Sequence, residues 1–415
     1  MVKNLDLAVI GSGAAGLAAA VAGATAGIKD VCIFEREAWL GGILPQCIHT
    51  GFGVQYFNEN LTGPEYITRF TEEVHQLQIP YRLNTLVTHI SPSKRITYVN
   101  SEEGVTHLQA KAIVLAMGCR ERPRGAITIP GDRPAGILTA GTAQRLLDID
   151  GYLPGRRIII LGSGDIGLIM ARRFTMEGAI VQAVIEQLPY PGGLRRNIVQ
   201  CLHDFNIPLL LNHTITAIHG LDRVEHIDIV QLDSQLNPIP NTQRTMACDT
   251  LVLSVGLIPE NELSYDMQLQ MSPSTRGPWI NEQCETSKQG VYACGNVVHV
   301  NDLVDHVTQS GHIAGKVAAK YLHKETSPPL YHMQLIPNQN IRYLVPHRIN
   351  YNTPFTLYLR VTHPLRQATI TLGNQVIGYR QRVTPSELIP LSVDPTKIIK
   401  ADSIVAAITG IPDLR

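Results

Sequence analysis

VIGSGAAGLAAAVAGATAGIKDVCIFERE (residues 9–37) runs from an apolar strand into a glycine-rich turn, and the same order of residues returns in IIILGSGDIGLIMARRFTMEGAIVQAVIEQ (158–187). In the first copy residues 6–10 read as a short buried strand, Gly11, Gly13 and Gly16 keep G-x-G-x-x-G spacing, and residues 14–26 are an alanine-rich helix. DVCIFERE then offers a second buried strand that ends on Glu35. Gly11 permits the tight turn, Gly13 lets a diphosphate approach the backbone, and Gly16 lets helix and strand pack closely. Ala14 and Ala15 open the helix, whose free amides and positive dipole end suit phosphate charge.

Glu35 lies 19 positions past Gly16, where an acid can accept from ribose hydroxyls. Strand, turn, helix, strand and terminal acid together read as a dinucleotide site. The second copy passes the same test: strand 156–161, turn Gly162, Gly164 and Gly167 with Asp165 and Ile166 at the helix start, and Glu186 again 19 past the last glycine. An acid there accepts from a free 2′-hydroxyl and repels a 2′-phosphate, so NAD(H) is favoured over NADP(H), with Arg195 and Arg196 as the opposing feature.

Composition narrows the rest. At 415 residues the chain has room for two or three domains, and 35 basic residues balance 35 acidic ones, so no global field draws it to nucleic acid or a membrane surface. The seven cysteines form no C-x-x-C pair and are too scattered for a disulfide framework. The first apolar run reads as a strand rather than a signal peptide, and no stretch is long enough to span a bilayer, so a cytoplasmic location is expected.

Two nucleotide sites in one α/β chain, with KAIVLAMGCRERPRG (111–125), DTLVLSVGLIPEN (249–261) and ETSKQGVYACGN (285–296), resemble the two-dinucleotide-fold flavoproteins, the pyridine nucleotide-disulfide oxidoreductase superfamily, over about residues 5–325. The resemblance implies two Rossmann-like domains, an NAD domain (121–252) inserted into a discontinuous FAD domain (1–120 and 253–325). Residues 326–415 would form a small β-rich domain. It implies FAD in the first site and a nicotinamide dinucleotide in the second. Further cofactor contacts are implied at Arg36, Gly41, Gly42, Gln46, Val87, Ala116, Gly118, Gly256, Gly295, Asn296, Leu303 and Val304. Asn296 stands where the family usually carries aspartate, and so brings a hydrogen-bonding group without charge.

LGGILPQCIHTGFG (40–53), RPAGILTAGTAQ (133–144) and ACGNVVHVNDLVDHV (293–307) resemble more narrowly the FAD-dependent oxidoreductases found with anaerobic glycerol-3-phosphate dehydrogenases and related opine and amino-acid dehydrogenase complexes. That implies a partner flavoprotein dehydrogenase subunit. Cys47 and His49 are the candidate catalytic pair near the flavin. A C-x₄-C pair is absent, so either Cys47 is a single redox cysteine activated by His49, as in peroxide or disulfide reductases of the superfamily, or it is a packing residue and His49 a wall of the pocket. A non-catalytic redox sensor or assembly subunit is the third alternative.

His299, Asp302, Asp305 and His306 read as the loop and helix covering the flavin rather than as a metal site, with Leu303 and Val304 opening the helix toward the ring. The tail alternates in β fashion and holds nine Lys or Arg against four Asp or Glu, a net of +5. It reads equally as a surface for an acidic partner and as a sandwich covering part of the FAD domain.

Overall fold

The computed structural model describes residues 3–325, 333–350, 354–398 and 401–413, so the first residues of the β-rich domain expected from 326 lie outside the described residues. The chain divides into two compact units: unit 1 is Met1–Cys119 with Pro259–Arg415, and unit 2 is Arg120–Ile258.

In unit 1 the chain builds β1 (Lys3–Ile10), α1 (Ala14–Thr25), β2 (Val31–Phe34), α2 (Gly63–Gln76), β3 (Tyr81–Arg82), β4 (Leu86–Ile90), β5 (Arg95–Asn100) and β6 (Gly104–Leu115). They form a sheet of order β3-β2-β1-β6-β5-β4, parallel from β3 to β6 and antiparallel in the β4–β5–β6 meander. Every side chain of β2 is buried, as a parallel strand covered on both faces requires. A reciprocal capping box opens α2: Thr62 Oγ1 accepts from the Glu65 amide at 3.4 Å, and Glu65 Oε2 accepts from the Thr62 amide at 2.8 Å.

Unit 2 repeats the plan. It contains β7 (Ile137–Thr139), α3 (Ala140–Asp148), β8 (Arg157–Leu161), α4 (Asp165–Met176), β9 (Ile180–Ile185), β10 (Leu209–Leu210), β11 (His213–His219), β12 (His226–Gln231), β13 (Arg244–Ala247) and β14 (Thr250–Leu253). A parallel sheet runs β7-β14-β8-β9-β10, with β11-β12-β13 as a separate antiparallel sheet. The chain leaves unit 2 after Ile258, later than position 252, because residues 254–256 stay with it: Ser254 donates its amide to Leu161 and Gly256 accepts from the Arg122 amide.

Back in unit 1, β15 (Val291–Ala293) adds to β6, and α5 (Val304–Leu322) packs on α1. The alanine-rich composition of α1 now has a physical reason. A Cβ on Gly311 would lie 2.1 Å from the Ala15 carbonyl oxygen, and one on Gly315 would lie 2.2 Å from that of Ala19. The two helices therefore touch backbone to backbone, which only small residues on both faces permit.

The rest of the chain is β-rich: β16 (Met333–Pro337), β17 (Ile341–Val345), β18 (Arg348–Ile349), β19 (Phe355–Val361), β20 (Leu365–Leu372), β21 (Gln375–Val383), β22 (Ile389–Val393) and β23 (Ser403–Pro412). They pair as β18-β16-β23-β20-β21 and β17-β19-β22 around a core of their own. This domain belongs to unit 1 and covers residues 280–302 of it. The Asn350 amide donates to Glu282 Oε2 at 3.0 Å, and the Ile280 amide donates to His347 Nδ1 at 3.3 Å. Part of the tail's positive charge is spent internally, since Arg366 and Arg382 flank the buried Asp413 carboxylate at 2.7 and 2.8 Å.

Candidate functional site: two matched cradles

In unit 1 the three glycines of the first turn do different work. Gly11 sits at φ +97°, and a Cβ there would lie 2.5 Å from the Ala116 carbonyl oxygen. A Cβ on Gly16 would lie 1.9 Å from the Gly11 carbonyl oxygen, so the fold itself demands both. Gly13 differs. Its φ of −65° is open to any residue, and a Cβ there meets no protein atom within 4 Å. Nothing inside the chain requires glycine at 13, and the position faces open space.

Gly13 also caps α1, whose start has neither a side-chain cap nor an acidic residue in the first turn, with Ala14 and Ala15 buried there. Glu35, 5% exposed, turns back to this turn: its Oε2 accepts from the Ser12 amide at 2.8 Å and the Ser12 hydroxyl at 2.6 Å, while Oε1 accepts from the Glu37 amide at 2.9 Å. Ser12 in turn binds the doublet that follows, because Gly41 donates its amide to Ser12 Oγ at 3.2 Å. Gly42, at φ +59°, passes so close that a Cβ would be 3.0 Å from Gly13 Cα.

Unit 2 reproduces this arrangement bond for bond. Gly162 is at φ +96° with a Cβ position 2.1 Å from the Ser254 carbonyl oxygen, and one on Gly167 would lie 2.8 Å from Ser254 Cβ. Gly164 again has an ordinary φ, −68°, and its Cβ would meet nothing nearer than 3.7 Å. Glu186 Oε2 accepts from the Ser163 amide at 3.1 Å and hydroxyl at 2.6 Å, Oε1 accepts from Leu188, and Gly192 donates to Ser163 Oγ at 2.7 Å. The difference is Asp165 in the first turn of α4. Its Oδ1 accepts from the Leu194 amide at 2.8 Å and Asn197 Nδ2 at 2.6 Å, so its charge holds the segment after Gly193. Ile166 packs against the core of unit 2, and Arg195 and Arg196 are exposed.

Ser12, Ser163, Gly192 and Gly193 are not among the residues that the sequence reading singles out. A signal for them exists: both turns read G-S-G, and in both a glycine doublet begins 29 positions past the serine.

Around the first cradle, Gln46 ends a single 3-10 turn at Leu44–Gln46 and Cys47 follows it. Cys47 is half-buried, with its Sγ donating to the Ile43 carbonyl at 3.5 Å and its own carbonyl accepting from the Gly63 amide at 2.8 Å. His49 Nδ1 lies 3.1 Å from the Thr50 carbonyl and its ring 5.0 Å from that of Phe52. Arg36 is exposed just past Glu35, whereas Val87 and Ala116 are buried. Gly118 and, in unit 2, Gly256 have positive φ and open space where a Cβ would stand.

Asn296 Oδ1 accepts from the Asn301 amide at 3.0 Å and shapes the loop that leads to Leu303, the residue capping α5, and Val304, its first residue. Gly295 closes against Ala15. Asp305 is taken up by the Gln55 and Tyr56 amides at 3.2 and 2.7 Å, and Asp302 by Arg360. Burial holds His299 down to about 3, hence neutral, and also lowers His306. Burial also pushes the Cys294 thiol well above its ordinary range and Cys284 up to about 12, which leaves both unreactive. Among the described residues no group of three or more His, Cys, Asp or Glu could hold a metal ion, and no helix is long and apolar enough to cross a membrane.

Each unit thus has a glycine turn with open space at Gly13 or Gly164, beside a helix start and a buried acid. The model of the pyridine nucleotide-disulphide oxidoreductase family matches residues 5–316, and the chain belongs to that family, an oxidoreductase of the FAD- and NAD(P)H-dependent class. It is similar to one of the subunits of opine oxidase from Agrobacterium tumefaciens (24% identical, covering 76% of this chain and 64% of that one). It is also similar to a CoA-dependent NAD(P)H sulfur oxidoreductase of Pyrococcus abyssi (26% identical, 71% and 63%). The chain thus spans less than two thirds of the length of these two relatives. Its fold is like that of T. acidophilum thioredoxin reductase, with a TM-score of 0.64 at 22% identity over 78% of this chain and 100% of that one.

Proposed function

We propose that the unit 1 cradle holds FAD, the unit 2 cradle takes NAD(H), and the protein passes electrons between that nicotinamide and an acceptor or donor held by a partner dehydrogenase subunit. The observation that carries this is the matched pair Gly13 and Gly164, glycines that the fold does not need but a diphosphate does. When bound, the two groups supply two-electron exchange between a flavin and a nicotinamide ring.

The chain's own residues bind and orient. The α1 amides donate to the FAD diphosphate, for which Gly13 leaves room, and Glu35 takes the adenosine ribose with the lone pairs that Ser12 and Glu37 leave available. Asn296 keeps the loop before α5 in place, so that the helix start favours negative charge near the ring. Gly164, Ser163 and Glu186 repeat the binding for the nicotinamide carrier, with Glu186 set against a 2′-phosphate. The partner dehydrogenase is supported by the similarity to a protein that is itself one subunit of opine oxidase.

A second reading makes Cys47 the redox group of a persulfide, peroxide or disulfide reductase. It is supported by the half-buried position of Cys47 and by the sulfur oxidoreductase relative. Anaerobic stopped-flow reduction, followed at the flavin absorbance, separates these. Rapid bleaching by NADH and slow bleaching by NADPH is expected, with Cys47→Ser unchanged in that half-reaction. Loss of peroxide or disulfide turnover in Cys47→Ser selects the second reading, and flavin that stays oxidised with both nucleotides rejects both.

A further inference from the structure

The β-rich domain touches the loop before α5 at one charged point. Residues alternate along β19: Leu357 and Leu359 are fully buried in the core of the β domain, while Tyr358 and Arg360 face the other way. Arg360 is 9% exposed. Its NH2 donates to Asp302 Oδ1, its Nε to the Tyr343 hydroxyl at 2.9 Å, and its NH1 to the Pro385 carbonyl at 3.0 Å. The other oxygen of Asp302 accepts from the Leu388 amide at 2.5 Å. Tyr358 adds packing on the same side, with ring centroids 5.8 Å from His299 and 5.1 Å from His306.

Asp302 is one residue before the cap of α5. Two elements of the β domain therefore grip the loop from outside, while Asn296 shapes it from inside. We infer that Arg360 is a positioning residue for the flavin: through Asp302 it fixes the start of α5, and so sets how tightly the flavin is held and how strongly its reduced form is stabilised. This rests on the proposal that FAD occupies the unit 1 cradle. A guanidinium is required because its planar fork serves Asp302, Tyr343 and Pro385 at once, which an ammonium cannot do. A buried pair of this kind is costly to break from one side, because the remaining charge is stranded.

The test uses full-length holoprotein in four forms: unaltered, Arg360→Met, Arg360→Lys and Asp302→Asn. Flavin affinity is read by fluorescence recovery on dilution, midpoint potential by equilibration with a reference dye, and folding by thermal melting. Arg360→Met and Asp302→Asn are each expected to weaken FAD binding about tenfold, the loss of one charge-assisted contact, and to move the potential negative. Arg360→Lys should restore part of both, and combining Arg360→Met with Asp302→Asn should cost little more than either alone. If Arg360→Met does not fold, Asp302→Asn, which keeps the shape of the side chain, decides. Unchanged affinity and potential in a folded variant overturn the inference, with FAD in the unaltered protein still supporting the proposed function. Absence of FAD from the unaltered protein overturns both.

Discussion

The two cradles share their bonds and differ in what surrounds them. Each is a G-S-G turn whose serine ties the turn to a buried glutamate 23 residues on and to a glycine 29 residues on. The first has an uncharged helix start, an α1–α5 contact at backbone distance, and a β domain gripping the loop before α5. The second puts Asp165 into its helix start, where its carboxylate is taken up by the Leu194 amide and Asn197, and has no second helix locked onto α4 in that manner among the described residues. On the proposed assignment, one geometry serves a resident carrier and an exchangeable one, with the difference set by enclosure.

The harshest test of the comparison is Gly16→Ala, whose methyl would stand 1.9 Å from a backbone oxygen; unit 1 is expected to lose at least the roughly 1–3 kcal/mol usual for overpacking. Gly167→Ala meets the Ser254 side chain at 2.8 Å, and so should cost less; calorimetric melting of the two variants compares them. Next in size, Glu35→Gln and Glu186→Gln each replace the charged acceptor of a serine amide and hydroxyl by a neutral amide oxygen that still accepts, costing about 1 kcal/mol in all. The Glu186 change should in addition narrow the preference for NADH over NADPH, about tenfold in the ratio of kcat/KM, whereas Glu35→Gln leaves that ratio alone.

A smaller effect marks what unit 2 lacks. Where the β domain meets residues 280–302, burial lowers His299 to about 3 and His347 to about 4, and raises Glu282 to about 7. Below an unfolded histidine value near 6.5 the unfolded chain binds more protons at both histidines, so their contribution falls as pH drops from about 6.5 toward 4. Glu282 acts oppositely, its contribution fading as pH rises from about 4.5 to 7. Two histidines against one carboxyl leave unit 1 more stable as pH rises from about 4.5 to 6.5, by at most about 1.4 kcal/mol per pH unit. Melting of Glu282→Gln across this window should steepen that rise.

The fold was legible where local pattern and tertiary demand coincide. β1, α1 and β2, and their copies β8, α4 and β9, are written in buried strands, a glycine turn and helix formers. The β alternation of 355–383 was legible for the same reason. What the residues did not disclose is long-range. That Ser12 and Ser163 bridge turn, acid and doublet depends on hydroxyls meeting partners 23 and 29 residues away, which only the repeated spacing hints at. Arg360 and Asp302 are 58 positions apart, in segments with no shared motif, and nothing local foretells their pairing. The placement of Cys47 against the Ile43 carbonyl likewise follows from the 3-10 turn at 44–46, not from composition.

The most direct measurement is the matched pair Gly13→Val and Gly164→Val, since a Cβ at either position meets no neighbouring atom nearer than 3.7 Å and stands in the space beside its helix start. Flavin content and the rate of flavin bleaching by NADH are read on both folded variants. Gly13→Val is expected to be isolated without flavin. Gly164→Val is expected to keep a full complement, which dithionite bleaches at once and NADH bleaches only at greatly raised concentration. Retention of FAD by Gly13→Val, or undiminished bleaching by NADH in Gly164→Val, would contradict two diphosphate cradles built on these glycines.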